Sequence, residues 1–193
     1  MASDNKIPID LARYGLEALS HLPRSRWTEA DVDALLDAMS AEGVAPSLNI
    51  DFNLQTIKLL LDTASCRRCG RCCLPKPGQP AGRAMAREDE LKEIARRTGL
   101  SHRQLVGYTG SYKLPRLKHF RFIKLPCPFY EPSGCRIYDF RPLVCRCYPI
   151  TDTPRQGGRS FVKINIGCDY GRDVYKAVHR ILVQEEAEAG GSG

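Results

Sequence analysis

Four cysteines fall within eight residues, Cys66, Cys69, Cys72 and Cys73, in the pattern C-x2-C-x2-C-C. Three thiolates at steps of three wrap a loop around one centre, and Gly70 permits the tight backbone turn that such a loop needs. A bacterial ferredoxin run opens in the same way, but its fourth cysteine is followed by proline. In this chain Cys127-Pro128 is the candidate for that fourth place. Such a ligand would pin the segment ending at Leu125 onto the loop. Adjacent side chains diverge, so one of Cys72 and Cys73 is expected to face a second site or to stay unligated.

The chain holds nine cysteines in 193 residues, and Cys135, Cys145, Cys147 and Cys168 are still to be placed. Four further thiolates would suffice for a second tetrahedral site, so one centre or two both stay open. Iron held as an iron–sulfur cluster, of the 4Fe–4S type, is the leading reading. Zinc is the alternative, since four thiolates satisfy it equally. Zinc ribbons and fingers usually show two C-x2-C-like pairs or histidines, however, and Cys145-x-Cys147 is a poor second pair. Redox thiols without metal are the third reading. Cys147, between Arg146 and Tyr148, is compatible with a reactive free thiol. His21, His102, His119 and His179 are scattered and read as solvated or packed side chains. Asp152 and Asp169 read as loop acids or salt-bridge partners. No P-loop, G-x-G-x-x-G or C-x3-C-x2-C run is present.

The opening residues MASDNKIPIDLARYG carry acids and lack a long apolar stretch, and no segment approaches the roughly 20 apolar residues of a membrane span. A cytoplasmic, reducing compartment is therefore expected, where clustered cysteines bind metal rather than form disulfides.

Charge divides along the chain. Residues 1–60 hold 5 Lys and Arg against 9 Asp and Glu, whereas residues 66–180 hold 24 against 9. A basic stretch commonly binds nucleic acid, but no helix-turn-helix, RNP or paired Cys/His finger accompanies it. Arg67, Arg68, Arg71, Arg136, Arg141 and Arg146 all lie within four residues of a cysteine. Metal-bound thiolates leave net negative charge that nearby guanidinium groups offset. The expected partner is a protein or a larger redox assembly, docked through the acidic arm, and nucleic acid is not expected.

Local signals place the elements. Thr28 reads as an N-cap before acids and an apolar stripe of Val32, Leu35, Leu36 and Met39, with Gly43 as the stop. A second helix is expected over residues 51–63. Lys76 to Gly82 reads as a loop. The segment from Arg87 to Gly99 has acids at its front and Arg96 and Arg97 at its end. Ser101 and Gln104 form a capping box, with Leu100 and Leu105 as its staple. Residues 119–125, 135–138 and 160–166 read as strands of a small antiparallel sheet, Arg141-Pro142 opens a helix that Tyr148-Pro149 ends, and Val174, Val178, Ile181 and Leu182 mark a C-terminal helix. The expectation is an α+β fold, mostly helical, with a small antiparallel sheet and metal-bound loops. Its segments are an acidic helical region 1–60, a cysteine-cluster metal-binding domain 61–170, a C-terminal helix 171–189 and a flexible linker 190–193.

The motifs Cys66-Arg-Arg-Cys69-Gly-Arg-Cys72-Cys73, Cys127-Pro128-Phe129, Gly134-Cys135-Arg-Ile-Tyr138, Arg141-Pro142-Leu-Val-Cys145-Arg146 and Tyr148-Pro149 occur in that order. Over residues 62–170 they resemble the CxxCxxCC family of zinc- or iron-chelating proteins, a YkgJ-type group related to the flagellin lysine N-methylases. The resemblance implies metal or cluster ligation by Cys66, Cys69, Cys72, Cys73, Cys127, Cys135, Cys145 and Cys168, and leaves Cys147 outside the set. The function expected is an accessory or electron-transfer iron–sulfur protein. A lysine N-methylase-like enzyme and a zinc-stabilised interaction module are the alternatives. Several of these cysteines lie in loops that otherwise bury little, so metal is expected to be part of the fold.

Overall fold

Capping chemistry sets the helix starts in the computed structural model, which describes residues 9–75, 83–113, 119–152 and 161–190. A single-turn α1 (Glu17–Ser20) precedes α2 (Glu29–Ala41). Thr28 Oγ1 accepts the Asp31 N–H at 3.2 Å while Asp31 accepts the Thr28 N–H at 2.7 Å. These two bonds satisfy donors that the first helical turn leaves unpaired. Strand β1 (Ser47–Asp51) follows, then α3 (Leu54–Leu61), β2 (Arg83–Arg87), α4 (Glu88–Thr98) and α5 (His102–Thr109). Short strands β3 (Tyr112–Lys113), β4 (Phe120–Lys124), β5 (Tyr130–Glu131) and β6 (Gly134–Cys135) come next. The series ends with α6 (Leu143–Cys147), β7 (Ile150–Asp152), β8 (Phe161–Ile164) and α7 (Asp169–Gly190). The class is α+β with helix predominating. Among the described residues no helix is long and apolar enough to cross a membrane.

Most local expectations hold, with three differences. The helix expected over 51–63 begins only at Leu54, because Asp51 pairs with Phe161 in β1 and the Asn53 side chain caps the helix by accepting the Thr56 N–H. The strand expected over 135–138 reduces to β6. Beyond it the Arg136 N–H turns back to Phe129 O, Ile137 is buried, and Tyr138–Phe140 forms a 3-10 turn. Finally, in place of the one expected sheet there are, among the described residues, three antiparallel sheets, ordered β1-β8-β7, β2-β4-β3 and β5-β6. The loop expected at Lys76–Gly82 and the last three residues of the linker lie outside the described residues.

The chain divides into two compact units, Met1–Arg67 with Pro149–Gly193, and Arg68–Tyr148. In the first, α2 buries Val32, Leu35, Leu36 and Met39, α7 buries Val174, Tyr175, Val178 and Leu182, and the sheet buries Leu48, Ile150, Val162 and Ile164. Charges at four-residue spacing line up across the two helices: Asp37 with Arg172, Asp33 with Lys176 at 2.6 Å, and Glu29 with Arg180 at 3.6 Å. The acids of the acidic arm's long helix are thus partnered within the chain.

In the second unit, Ala86 of β2, Leu91, Ile94 and Ala95 of α4, Leu105 of α5 and Ile123 of β4 form a core with Phe129 and Ile137. Cys127 and Cys135 pack against this core. At the first turn of α4, Glu88 receives Arg121 at 3.0 Å, Lys113 at 3.3 Å and His102 at 3.0 Å. Partial burial raises its pKa, but the bonds to Arg121 and Lys113 outweigh that and hold the carboxyl below its usual range.

Candidate metal centre

The cysteine run turns sharply before it meets the rest of its unit. Gly70 has φ +74°, and a β-carbon there would strike the Tyr130 ring, so only glycine lets β5 lie against the run. Arg71–Cys73 then forms a 3-10 turn closed by the Cys73 N–H donating to Gly70 O at 2.8 Å. On this turn the Cys72 and Cys73 sulfurs stand 3.8 Å apart. Adjacent side chains were expected to diverge, and here the two sulfurs instead lie close together. In a helical turn neighbouring side chains splay by about 120° rather than the 180° of a strand, so both sulfurs reach one side.

From β4 the chain passes through a cis Leu125–Pro126 peptide to Cys127, whose N–H donates to Cys73 O at 2.7 Å. Tyr108 of α5 steadies the following residues, donating its hydroxyl to Pro128 O at 2.7 Å and packing its ring 5.5 Å from that of Phe129. The end of β4 is therefore tied to the run by a backbone hydrogen bond, where the sequence had suggested a tie through ligation by Cys127. Cys135 arrives on β6, and Cys145 on α6. This short helix is capped from a distance: Glu90 Oε1 of α4 accepts the Leu143 N–H at 2.6 Å while Glu90 Oε2 accepts the Arg87 N–H at 2.8 Å.

Electrostatics marks five of the thiols as one group. A hydrogen bond with Cys73 is the main cause that brings Cys72 down to about 7, and Arg141 adds to it. Cys127 likewise falls to about 7, with Cys73 its main partner and the Phe129 backbone a second. Cys73 is the proton holder between them and its pKa is raised by both bonds. Burial pushes Cys145 up to about 12, and the charges of Cys72, Cys127 and Cys135 push the same way. Burial also raises Cys135, with Cys127 and Cys72 adding to it. Cys73, Cys127, Cys135 and Cys145 each feel at least two others, Cys72 acts on all four of them, and Arg141 acts on Cys72, Cys135 and Cys145.

The other four cysteines sit differently. Cys69 is exposed in the second unit. Cys147 is half-buried; burial raises its pKa, and the charges that act on it are those of Arg146 and Glu90. Cys66 and Cys168 belong to the first unit. Cys168 is buried at the head of α7, where its sulfur accepts the Gly171 N–H at 3.4 Å and its carbonyl accepts the Arg172 N–H at 3.1 Å. Both are N-cap interactions.

The arginines near the cysteines also divide. Arg67 pairs with Asp173 at 2.9 Å and Asp169 at 3.8 Å, and Arg136 with Glu131 at 3.5 Å. Arg68 and Arg141 instead lie over the ring of Tyr138, 4.1 and 3.7 Å from its centroid. Two sets of contacts went unseen in the sequence. Glu90 looked like an ordinary first-turn acid, and Tyr138 stood in an expected strand and in the Gly134–Tyr138 motif with nothing to announce its two arginine partners. The bond from Glu90 to Leu143 spans 53 positions, and no local pattern announces it.

Among the described residues no three Cys, His, Asp or Glu side chains converge in ligating geometry; the Cys72 and Cys73 sulfurs stand at hydrogen-bonding separation. The donor set nonetheless fits a thiophilic metal, because five sulfurs share one patch, two of them give up protons readily, and a guanidinium sits beside them. No curated protein and no solved structure matches the chain significantly. A family model does, over residues 65–169, which spans the run, the five-thiol patch and Cys168. The chain belongs to the CxxCxxCC family, described as “Putative zinc- or iron-chelating domain”.

Proposed function

We propose that four thiols of the group Cys72, Cys73, Cys127, Cys135 and Cys145 hold an iron–sulfur cluster of the 4Fe–4S type and that the chain serves as an accessory or electron-transfer component of a larger protein assembly. The observation that carries this reading is the sulfur patch itself: the Cys72 and Cys73 sulfurs lie 3.8 Å apart, Cys127 is bonded to the Cys73 backbone at 2.7 Å, and Cys135 and Cys145 feel the charges of Cys72 and Cys127. A zinc ion and a 4Fe–4S cluster each take four thiolates, so metal analysis, rather than the thiol count, separates the two. When bound, an iron–sulfur cluster supplies a one-electron couple whose potential depends on charge, hydrogen bonding and solvent exposure. The chain's own residues govern those three quantities. Phe129 and Ile137 pack beside Cys127 and Cys135 and keep water from one side. The Phe129 backbone bonds to Cys127, and Arg141 offsets thiolate charge. Cys66, Cys69 and Cys168 enter the proposal as the further ligands that the family resemblance implies.

The test is anaerobic purification followed by iron and sulfide analysis, visible absorption and electron paramagnetic resonance of the reduced protein. Brown protein with iron and sulfide in equal amounts is expected. Colourless protein with stoichiometric zinc would overturn the iron reading and leave a zinc-stabilised interaction module. Serine variants then sort the ligands: Cys127→Ser is expected to lose most of the metal, and Cys147→Ser to keep it.

A further inference from the structure

Two cations share one aromatic ring beside the thiol patch. The Arg68 and Arg141 guanidinium carbons lie 4.1 and 3.7 Å from the Tyr138 centroid. Side by side on one face at those heights the two planar groups would overlap, so the ring lies between them. Arg141 is held further by its Nε donating to Tyr138 O at 2.9 Å. Arg68 reaches its place through an unusual backbone, with φ +55°. Left-handed geometry is uncommon for a residue with a β-carbon and persists where its surroundings demand it. Gly134, at φ +121°, lies against the same Arg68 segment, 3.5 Å from its β-carbon to where its own would stand. The aromatic ring thus keeps apart two like charges that would otherwise repel, and each guanidinium gains a cation–π contact.

We propose that Tyr138 is a positioning residue of the metal site: its ring holds Arg141 beside the thiols, with Arg68 on the same ring, so that negative charge gathered there when metal binds is offset locally. The inference rests on metal binding by this patch and is indifferent to which metal binds. It separates Arg68 and Arg141 from Arg67 and Arg136, whose charges are met by carboxylates. Residues that support ligands in this way typically change metal affinity by roughly 10–100-fold when removed.

The experiment uses the full chain with the metal it carries on isolation. Two quantities are read: the competition between the site and a chelator, and, on the stripped and reduced chain, the ratio of reaction rates with an anionic aromatic disulfide and with neutral iodoacetamide. The second reports local potential at the sulfurs, which a purely structural role would not move. Tyr138→Leu and Arg141→Gln are expected to weaken metal retention by roughly 10–100-fold and to lower the anionic-to-neutral ratio. Tyr138→Phe keeps the ring and is expected to match the wild type in both. Arg141→Lys keeps the charge without the planar group and is expected to fall between, which serves as the measurement should Tyr138→Leu fail to fold. Wild-type retention and ratio in Tyr138→Leu or Arg141→Gln would overturn the proposal, as would equal loss in Tyr138→Phe. Absence of metal from the wild type would overturn the metal reading and this proposal together, whereas metal-loaded wild type with unchanged variants would overturn this proposal alone.

Discussion

The first unit carries 12 Lys and Arg against 16 Asp and Glu, while the second carries 17 against 6. In the first, charges meet charges: Glu29, Asp33 and Asp37 of α2 pair with Arg180, Lys176 and Arg172 of α7. Partly exposed pairs of this kind contribute about 0–1 kcal/mol each, so they set helix register while the buried leucines and valines supply stability. In the second, cations outnumber carboxylates and two of them stack on Tyr138 beside the thiols. An excess of positive charge around a cluster of sulfurs is costly until the sulfurs become thiolates and bind metal. Helix packing completes the first unit; the second has its smaller core and its sulfur chemistry.

The sharpest way to break this comparison is metal removal. Chelation under reducing conditions is expected to abolish amide protection over residues 68–75 and 125–147, a loss of several kcal/mol, while protection across Val174–Leu182 persists. Equal loss in both regions would show that metal supports the whole chain. Next in size is Leu36→Ala. Leu36 is fully buried in α2, and the truncation is expected to cost about 2–5 kcal/mol, seen as a lower thermal midpoint with metal content unchanged.

Glu90→Ala tests the link between α4 and α6 at lower cost. Losing both caps is expected to remove about 1–2 kcal/mol and to speed metal loss through Cys145, whereas Glu90→Gln, which keeps an acceptor, is expected to do less. A pH effect belongs to the first unit. His179 is buried, stacked 5.7 Å from Trp27, and its pKa lies below the ordinary value because of burial, with Arg24 adding to it. The folded chain then binds fewer protons than the unfolded one, so stability present above the ordinary histidine pKa is lost as pH falls through it toward the folded value. Thermal midpoints measured downward from pH 7 should therefore drop, and His179→Gln should flatten that slope. The smallest effect is expected from Asp33→Asn, below about 1 kcal/mol and reduced further by salt; a larger cost would make the α2–α7 ladder a principal source of stability.

How much was legible follows from range. Thr28 with Asp31, Ser101 with Gln104, and the Gly99 stop all act within four residues, and each formed where its spacing indicated. Leu100 and Leu105 both pack on the second core, as a staple should. Strand positions near 120–124 and 161–164 were readable from alternation, but their partners were not, because pairing depends on where distant chain arrives. The α2 acids at four-residue spacing and the α7 bases at the same spacing were both visible in the sequence. Nothing local said that they would face each other.

The amino-acid sequence by itself determined the donor chemistry: a dense thiol run, later cysteines in recognisable surroundings, arginines close by, and hence membership of a metal-chelating family. It also determined where α2, α4 and α5 begin. Tertiary structure alone decided that Cys72 and Cys73 turn to the same side, that Cys127 is bonded to the run across 54 positions, and that Tyr138 gathers two of the arginines. The reason is physical: capping and ligand type depend on neighbours along the chain, whereas the meeting of thiols, rings and guanidinium groups depends on the path that packing imposes on the chain between them.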